Sequence, residues 1–98
     1  MLTSKQSAKL RSLASVIQPT TIVGKDGLTE TVLDQIDKQL HSHELVKISV
    51  LESAELSAKD YLHEASSKLK AEEVCSIGRK FALYRVSNKK GIKHIQID

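Results

Sequence analysis

The sequence predicts an α/β fold: a single compact two-layer domain, with a four-stranded mixed sheet packed with three helices in the order α-β-α-β-α-β-β. Three observations carry this. Thr20-Thr21-Ile22-Val23 is a β-branched run that leads through Gly24-Lys25-Asp26-Gly27 into Val32, Leu33, Ile36 and Leu40 at helical spacing. Val46, Ile48 and Val50 alternate with Lys47 and Ser49, the pattern of a strand buried on one face, with Lys47 on the less covered side. Val74-Cys75-Ser76-Ile77 and Phe81-Ala82-Leu83-Tyr84-Arg85-Val86 flank Gly78-Arg79-Lys80 as a hairpin with a basic tip.

A chain of 98 residues has room for one core, so one domain is expected over 1–98. Its 40% hydrophobic and 28% charged residues suit an ordinary globular protein. A net charge of +3 and a pI near 9.1 are only mildly basic, so any nucleic-acid surface must come from placement. The single cysteine, Cys75, excludes an intrachain disulfide framework and suits a reducing compartment. No apolar run approaches the ~18 residues of a membrane span, and no apolar leader core follows Met1. A cytoplasmic location without a membrane partner is therefore expected.

Helix 1 opens with a capping box from Thr3 to Gln6 and carries Leu10, Leu13, Ala14 and Ile17 as its buried stripe. Lys5, Lys9 and Ser12 fall on another face, with Arg11 to the other side, and the helix must stop before Gln18-Pro19. Helix 2 begins at Thr29, with Leu28 and Leu33 as a hydrophobic staple. Glu30, Asp34 and Asp37 make its outer face acidic, so a phosphate can approach only its N-terminal end. Helix 3 is expected over Glu52–Glu73, capped by Ser53 or Ser57, with Ala58, Tyr61, Leu62, Ala65 and Leu69 facing inward and Tyr61 at the core edge. Asn88-Lys89-Lys90-Gly91 signals a second turn, and the basic tail over 88–98, with Ile92, Ile95 and Ile97, is expected to fray or pair weakly. Both β-α-β stretches imply parallel, right-handed crossovers.

The turn Val23-Gly24-Lys25-Asp26-Gly27-Leu28-Thr29 is the stretch with most chemistry. Two glycines three apart allow positive φ and close approach of another chain. Lys25 and the N–H groups opening helix 2 would then form a phosphate seat. The same spacing also serves as a tight strand-to-helix connection with no ligand. Asp26 sets a carboxylate where a neutral or basic side chain would suit phosphate better.

Four segments in this order resemble the YhbY-like proteins, the stand-alone bacterial form of the CRM RNA-binding domain. They are helix 1 with Lys5, Leu10 and Arg11; the turn Val23–Thr29; Glu44-Leu45-Val46-Lys47-Ile48; and Ile77-Gly78-Arg79-Lys80-Phe81-Ala82-Leu83-Tyr84-Arg85. The resemblance implies a domain similar to the C-terminal domain of a bacterial translation initiation factor. It also implies RNA binding around the glycine loop and a role in ribosome assembly, on ribosomal RNA of large-subunit precursors. Carried over by position, the RNA-binding candidates are Gly24, Lys25 and Gly27, then Lys5, Lys9 and Arg11, then Arg79, Lys80 and Arg85.

The residues agree in kind. A glycine loop with a lysine can clamp a backbone phosphate, as in KH domains. Tyr61, Phe81 and Tyr84 are too few aromatics for a stacking platform. Lys80-Phe81-Ala82-Leu83-Tyr84 lacks the internal glycine of an RNP1 motif and reads better as a buried strand.

His41-Ser42-His43-Glu44 is the one cluster suggestive of catalysis or metal, but its spacing matches no zinc pattern, and the histidines fit a helix C-terminus. No nucleophile elbow, Walker A or H-E-x-x-H occurs. The expectation is a monomeric binding protein, not an enzyme, with no metal and no cofactor. The alternatives are a protein-interaction module docking on a ribosomal protein with little direct RNA contact, and a small hydrolase using His43 and Glu44. Cys75 reads as a small buried strand residue.

Overall fold

The protein folds as expected from its pattern, in the order α1 (Ser4–Ala14), β1 (Thr21–Val23), α2 (Glu30–His43), β2 (Leu45–Val50), α3 (Ala58–Leu69), β3 (Glu72–Ile77) and β4 (Lys80–Tyr84). The computed structural model describes residues 2–88, 90–91 and 94–95. Of the expected tail, Ile92 and Ile97 lie outside the described residues, as does Lys89 of the second turn.

The four strands stand in the order β1-β2-β4-β3. β1 pairs in parallel with β2, placing Thr21, Ile22 and Val23 beside Ile48, Ser49 and Val50. β4 inserts antiparallel between β2 and β3, so β3 runs parallel to β2 one strand away. The second crossover therefore spans a gap that the hairpin returns to fill.

Strand alternation sorts the core into two clusters. Val46, Ile48 and Val50 of β2, with Phe81 and Leu83 of β4, face Ile36 and Leu40 of α2 and Tyr61, Leu62 and Ala65 of α3. Leu45, Ala82 and Tyr84 face the other way and meet Leu10 and Ala14 of α1. The sheet thus carries the expected layer of α2 and α3 on one face and α1 over part of the opposite face. The polar character of Lys47 and Ser49 hid this cover, because α1 reaches only the Leu45 end of β2.

Three boundaries differ from the sequence expectation, each for a local reason. α1 ends at Ala14 and not near Gln18, because the Ser15 hydroxyl donates to the Ser12 carbonyl at 2.7 Å and closes the last turn. Leu13 and Ile17 still pack, half-buried, against the α1 cluster. α3 starts at Ala58, since Ser57 caps it through the Asp60 N–H at 3.2 Å while the Leu56 N–H donates to the Tyr61 hydroxyl at 3.3 Å. It ends at Leu69 because Lys70 turns left-handed at φ 54°, and β3 begins at Glu72.

Candidate nucleic-acid interface

The glycine turn is closed by the Gly27 N–H donating to the Gly24 carbonyl at 3.0 Å, and the Thr29 N–H follows to Gly27 at 3.1 Å. Only Gly27 takes positive φ, at 71°, and there a Cβ would lie 3.4 Å from the Tyr61 hydroxyl. The two glycines were expected to share this role. Gly24 instead has ordinary backbone, and a Cβ on it would meet nothing nearer than Leu51 Cδ1 at 3.6 Å. Gly27 therefore serves the fold, while the structure makes no such demand at Gly24.

Thr29 caps α2, its hydroxyl accepting from the Val32 N–H at 3.2 Å and its carbonyl from the Leu33 N–H at 2.9 Å. The helix start thus satisfies part of its own donor set. Glu30 occupies the first turn and Asp26 the glycine turn, so exposed Lys25 has two carboxylates along the same short stretch. Alone, this is a weak anion seat.

Other cations join it at the same end of the sheet. Val23 pairs with Val50, and the Val50 N–H donates to the Arg79 carbonyl at 2.6 Å, so the hairpin tip sits beside the strand ends that lead into the glycine turn. Gly78 makes that tip possible at φ 60°. Lys80 follows on β4, paired with Ser49 on the face that α1 only partly covers. There Lys80, Lys47 and Arg11 surround a cavity of about 290 Å³. Lys47 is steadied by its ammonium donating to the Ile17 carbonyl at 3.4 Å. Cys75 also lines this cavity; burial pushes its thiol pKa up, against the opposing positive charges of Lys47 and Arg11.

The expected helix 1 cations separate. Arg11 belongs to this cavity, whereas Lys9 lines a different cleft of about 740 Å³ with Leu13, Ile17, His43 and Ile95. Lys5, one turn before Lys9, is exposed at the start of the helix. Arg85 is committed to the fold: its guanidinium donates to the Leu69 carbonyl at 2.8 Å and to Asp37 Oδ1 at 2.9 Å. Lys47 was placed on the open face by the alternation of β2 but not counted among the contact residues, although that alternation was the signal for it.

The histidine cluster has a structural account. His41 Nε2 lies 3.6 Å from Asp37 Oδ2, one helical turn earlier. The Glu44 carboxylate is fully buried and accepts from the Ser87 N–H at 2.7 Å, the Ile95 N–H at 2.9 Å and His94 Nδ1 at 2.7 Å. Burial raises its pKa, but those hydrogen bonds and the His94 charge outweigh burial and hold it below the ordinary carboxylate value. Glu44 anchors the segment after β4 and is enclosed by its partners. Tyr84, buried nearby, has its pKa raised by burial and by the Glu44 charge.

Arg11, Lys47 and Lys80 give a partly open sheet face, flanked by a glycine turn, a positive potential of the kind that suits a polyanion. The chain belongs to the CRS1 / YhbY (CRM) domain family, whose model matches residues 2–85. It is 35% identical over 89 residues to the "Probable RNA-binding protein YqeI" of Bacillus subtilis, covering 91% of this chain and 93% of that one. It is 34% identical over 92 residues to an "RNA-binding protein" of Haemophilus influenzae, covering 94% and 93% respectively. The solution structure of a hypothetical protein from Staphylococcus aureus superposes with a TM-score of 0.82 at 37% identity, over 100% of both chains.

Proposed function

We propose that this protein binds RNA, and that it does so as a monomeric cytoplasmic factor acting on precursors of the large ribosomal subunit. The observation that carries the RNA reading is the gathering of the glycine turn, the Arg79 tip and the Arg11–Lys47–Lys80 cluster about one end and one face of the sheet. The relatives named for RNA binding at about 35% identity support it. Contact rests on phosphates more than on stacked bases, because Tyr61, Phe81 and Tyr84 are all buried. No catalytic step is needed for this role.

A second reading, docking on a ribosomal protein, draws on the other side of α1, where Val16 is exposed beside Leu13 and Ile17 at the larger cleft. Binding of purified protein to bare precursor RNA across a salt series separates the two. Affinity that falls steeply with salt supports the RNA reading, and absence of binding to bare RNA overturns it. The assembly role is tested by sedimentation: the tagged protein should travel with large-subunit precursors and be depleted from translating ribosomes. Even spread across all ribosomal fractions would sink that part.

A further inference from the structure

The sheet face that α1 leaves open carries a row of cross-strand neighbours, one from each strand. Ile22 of β1 pairs with Ser49 of β2, Ser49 with Lys80 of β4, and Lys80 with Ile77 of β3. At a strand spacing of ~4.8 Å the row spans roughly 14 Å. It starts two residues before Gly24 and ends at the cavity between α1 and the hairpin. Both its apolar members stand out in solvent, Ile22 at 58% and Ile77 at 75% exposure.

The cavity has two chemistries. Cys75 and Ala82 form an apolar floor with Ile77 at its open edge, while Arg11, Lys47 and Lys80 surround it, and no acidic residue is among the described residues that line it. Phosphate alone would use the cations and leave the floor wet. An uncharged apolar ligand would use the floor and gain nothing from three positive charges. A nucleotide within a single strand offers both, a flat ring with a phosphate on either side. Duplex RNA hides its base faces in the stack and presents phosphates and 2′-hydroxyls, which gives exposed isoleucines nothing apolar to cover. The volume of about 290 Å³ lies at the lower edge of small-ligand sites, ~300–1,000 Å³, and so suits one ring.

We infer that a single-stranded RNA segment crosses the sheet from the glycine turn along Ile22, Ser49, Lys80 and Ile77 and seats one unpaired base on the floor beneath α1. Arg11, Lys47 and Lys80 hold the flanking phosphates. This rests on the RNA-binding reading and adds to it the strandedness of the ligand and the place of the base.

Cys75 is the sole cysteine, so its alkylation reports on the floor in the unaltered protein. The probes are a short single-stranded RNA of mixed sequence and its duplex, with the affinity of each first measured by fluorescence anisotropy. At single strand about ten times Kd, maleimide labelling of Cys75 should slow by about tenfold, while the bound duplex leaves the rate unchanged. The variant Arg11→Glu/Lys80→Glu, with folding checked by circular dichroism, should lose the preference for single strands. Bound single strand with undiminished labelling overturns the seat and leaves RNA binding itself intact. Equal protection by duplex overturns the unpaired base. A wild-type protein that binds neither RNA overturns this inference together with the reading beneath it.

Discussion

Arg85 and Asp37, 48 residues apart, lock the end of β4 to α2: the guanidinium donates to Asp37 Oδ1 at 2.9 Å and, through its other terminal nitrogen, to the Leu69 carbonyl of α3 at 2.8 Å. The Arg85 N–H adds a bond to the Glu44 carbonyl at 2.9 Å. One side chain so ties the C-terminal halves of both helices to the sheet, and the planar fork of arginine makes the double reach possible. An arginine in a basic family segment reads from sequence as a phosphate contact, and its partners lie too far along the chain to be seen.

Arg85→Lys therefore separates the two roles. It keeps the charge but not the fork, so urea denaturation should show a loss of about 1–3 kcal/mol. The salt slope of RNA binding should stay as in the wild type. A variant of unchanged stability and weakened binding would return Arg85 to the RNA surface.

Glu44 sets an acid limit on stability. Its folded pKa lies below the ordinary carboxylate value, so the folded state favours the ionised form more than the unfolded chain does. That contribution is fully present above the unfolded value, which the reference of 4.5 marks, and is lost as pH falls through the folded one. Glu73 acts in the same direction: its hydrogen bond to His63 outweighs burial, and a second from Ser66 adds to the lowering. Unfolding followed from pH 7 to pH 3 should show a plateau and then a fall in the carboxylate range. Glu44→Gln should lower the plateau by about 1–3 kcal/mol, since the amide turns a donor toward an N–H. It should also flatten part of the acid slope. A slope identical to wild type would place the pH dependence elsewhere.

The two glycines of the turn make a matched pair. Gly27→Ala forces a side chain into left-handed backbone and against Tyr61, and should cost about 1–2 kcal/mol. Gly24→Ala meets only ordinary contact with Leu51 and should change stability by no more than about 0.5 kcal/mol. If RNA backbone approaches the turn closely, Gly24→Ala weakens binding in a fully folded protein. Anisotropy titrations on both variants, with melting curves alongside, decide it; full affinity in Gly24→Ala would take close approach away from this position.

What the sequence exposed and what it concealed divide by distance. Ile36, Leu40 and the β2 residues Val46, Ile48 and Val50 carry their placement in local periodicity, and each is buried where the pattern put it. The start of α3 did not: Glu52 to Ser57 has acceptable helix composition, but the Leu56 N–H is claimed by the Tyr61 hydroxyl and Ser57 supplies the cap. Helical spacing groups Leu33 with Ile36, yet Leu33 is half-buried and outside the core cluster that holds Ile36. One position of helical phase is enough to make that difference. At the candidate site, Lys25 and Arg79 needed only their turns to be placed. The division of Lys9 from Arg11 follows the helical phase of α1, which the sequence shows, whereas the meeting of Arg11 with Lys80 depends on how α1 crosses the sheet, which no local pattern encodes.

Asp26 is the residue that fits a phosphate seat worst, and it gives the sharpest test of whether the glycine turn touches RNA. Asp26 follows Lys25 directly and precedes the α2 start at Glu30, so its negative charge offsets the positive field of the lysine and of the α2 start. Asp26→Lys changes the local charge by two units and leaves both glycines in place. The hydrogen bond from the Gly27 N–H to the Gly24 carbonyl is backbone to backbone, so the turn should persist. With the turn in contact, binding at low salt should tighten. If the new lysine neutralises one more phosphate, the slope of log K against log salt should steepen by about 0.7 for a single strand and about 0.9 for a duplex. That difference in slope also reports which form of RNA lies on the turn. Melting temperature is measured alongside, because an aspartate in a turn can bond its own backbone and its loss would then show as instability. A stable Asp26→Lys protein with wild-type affinity and slope would remove the glycine turn from the interface and leave Arg11, Lys47, Arg79 and Lys80 to form it.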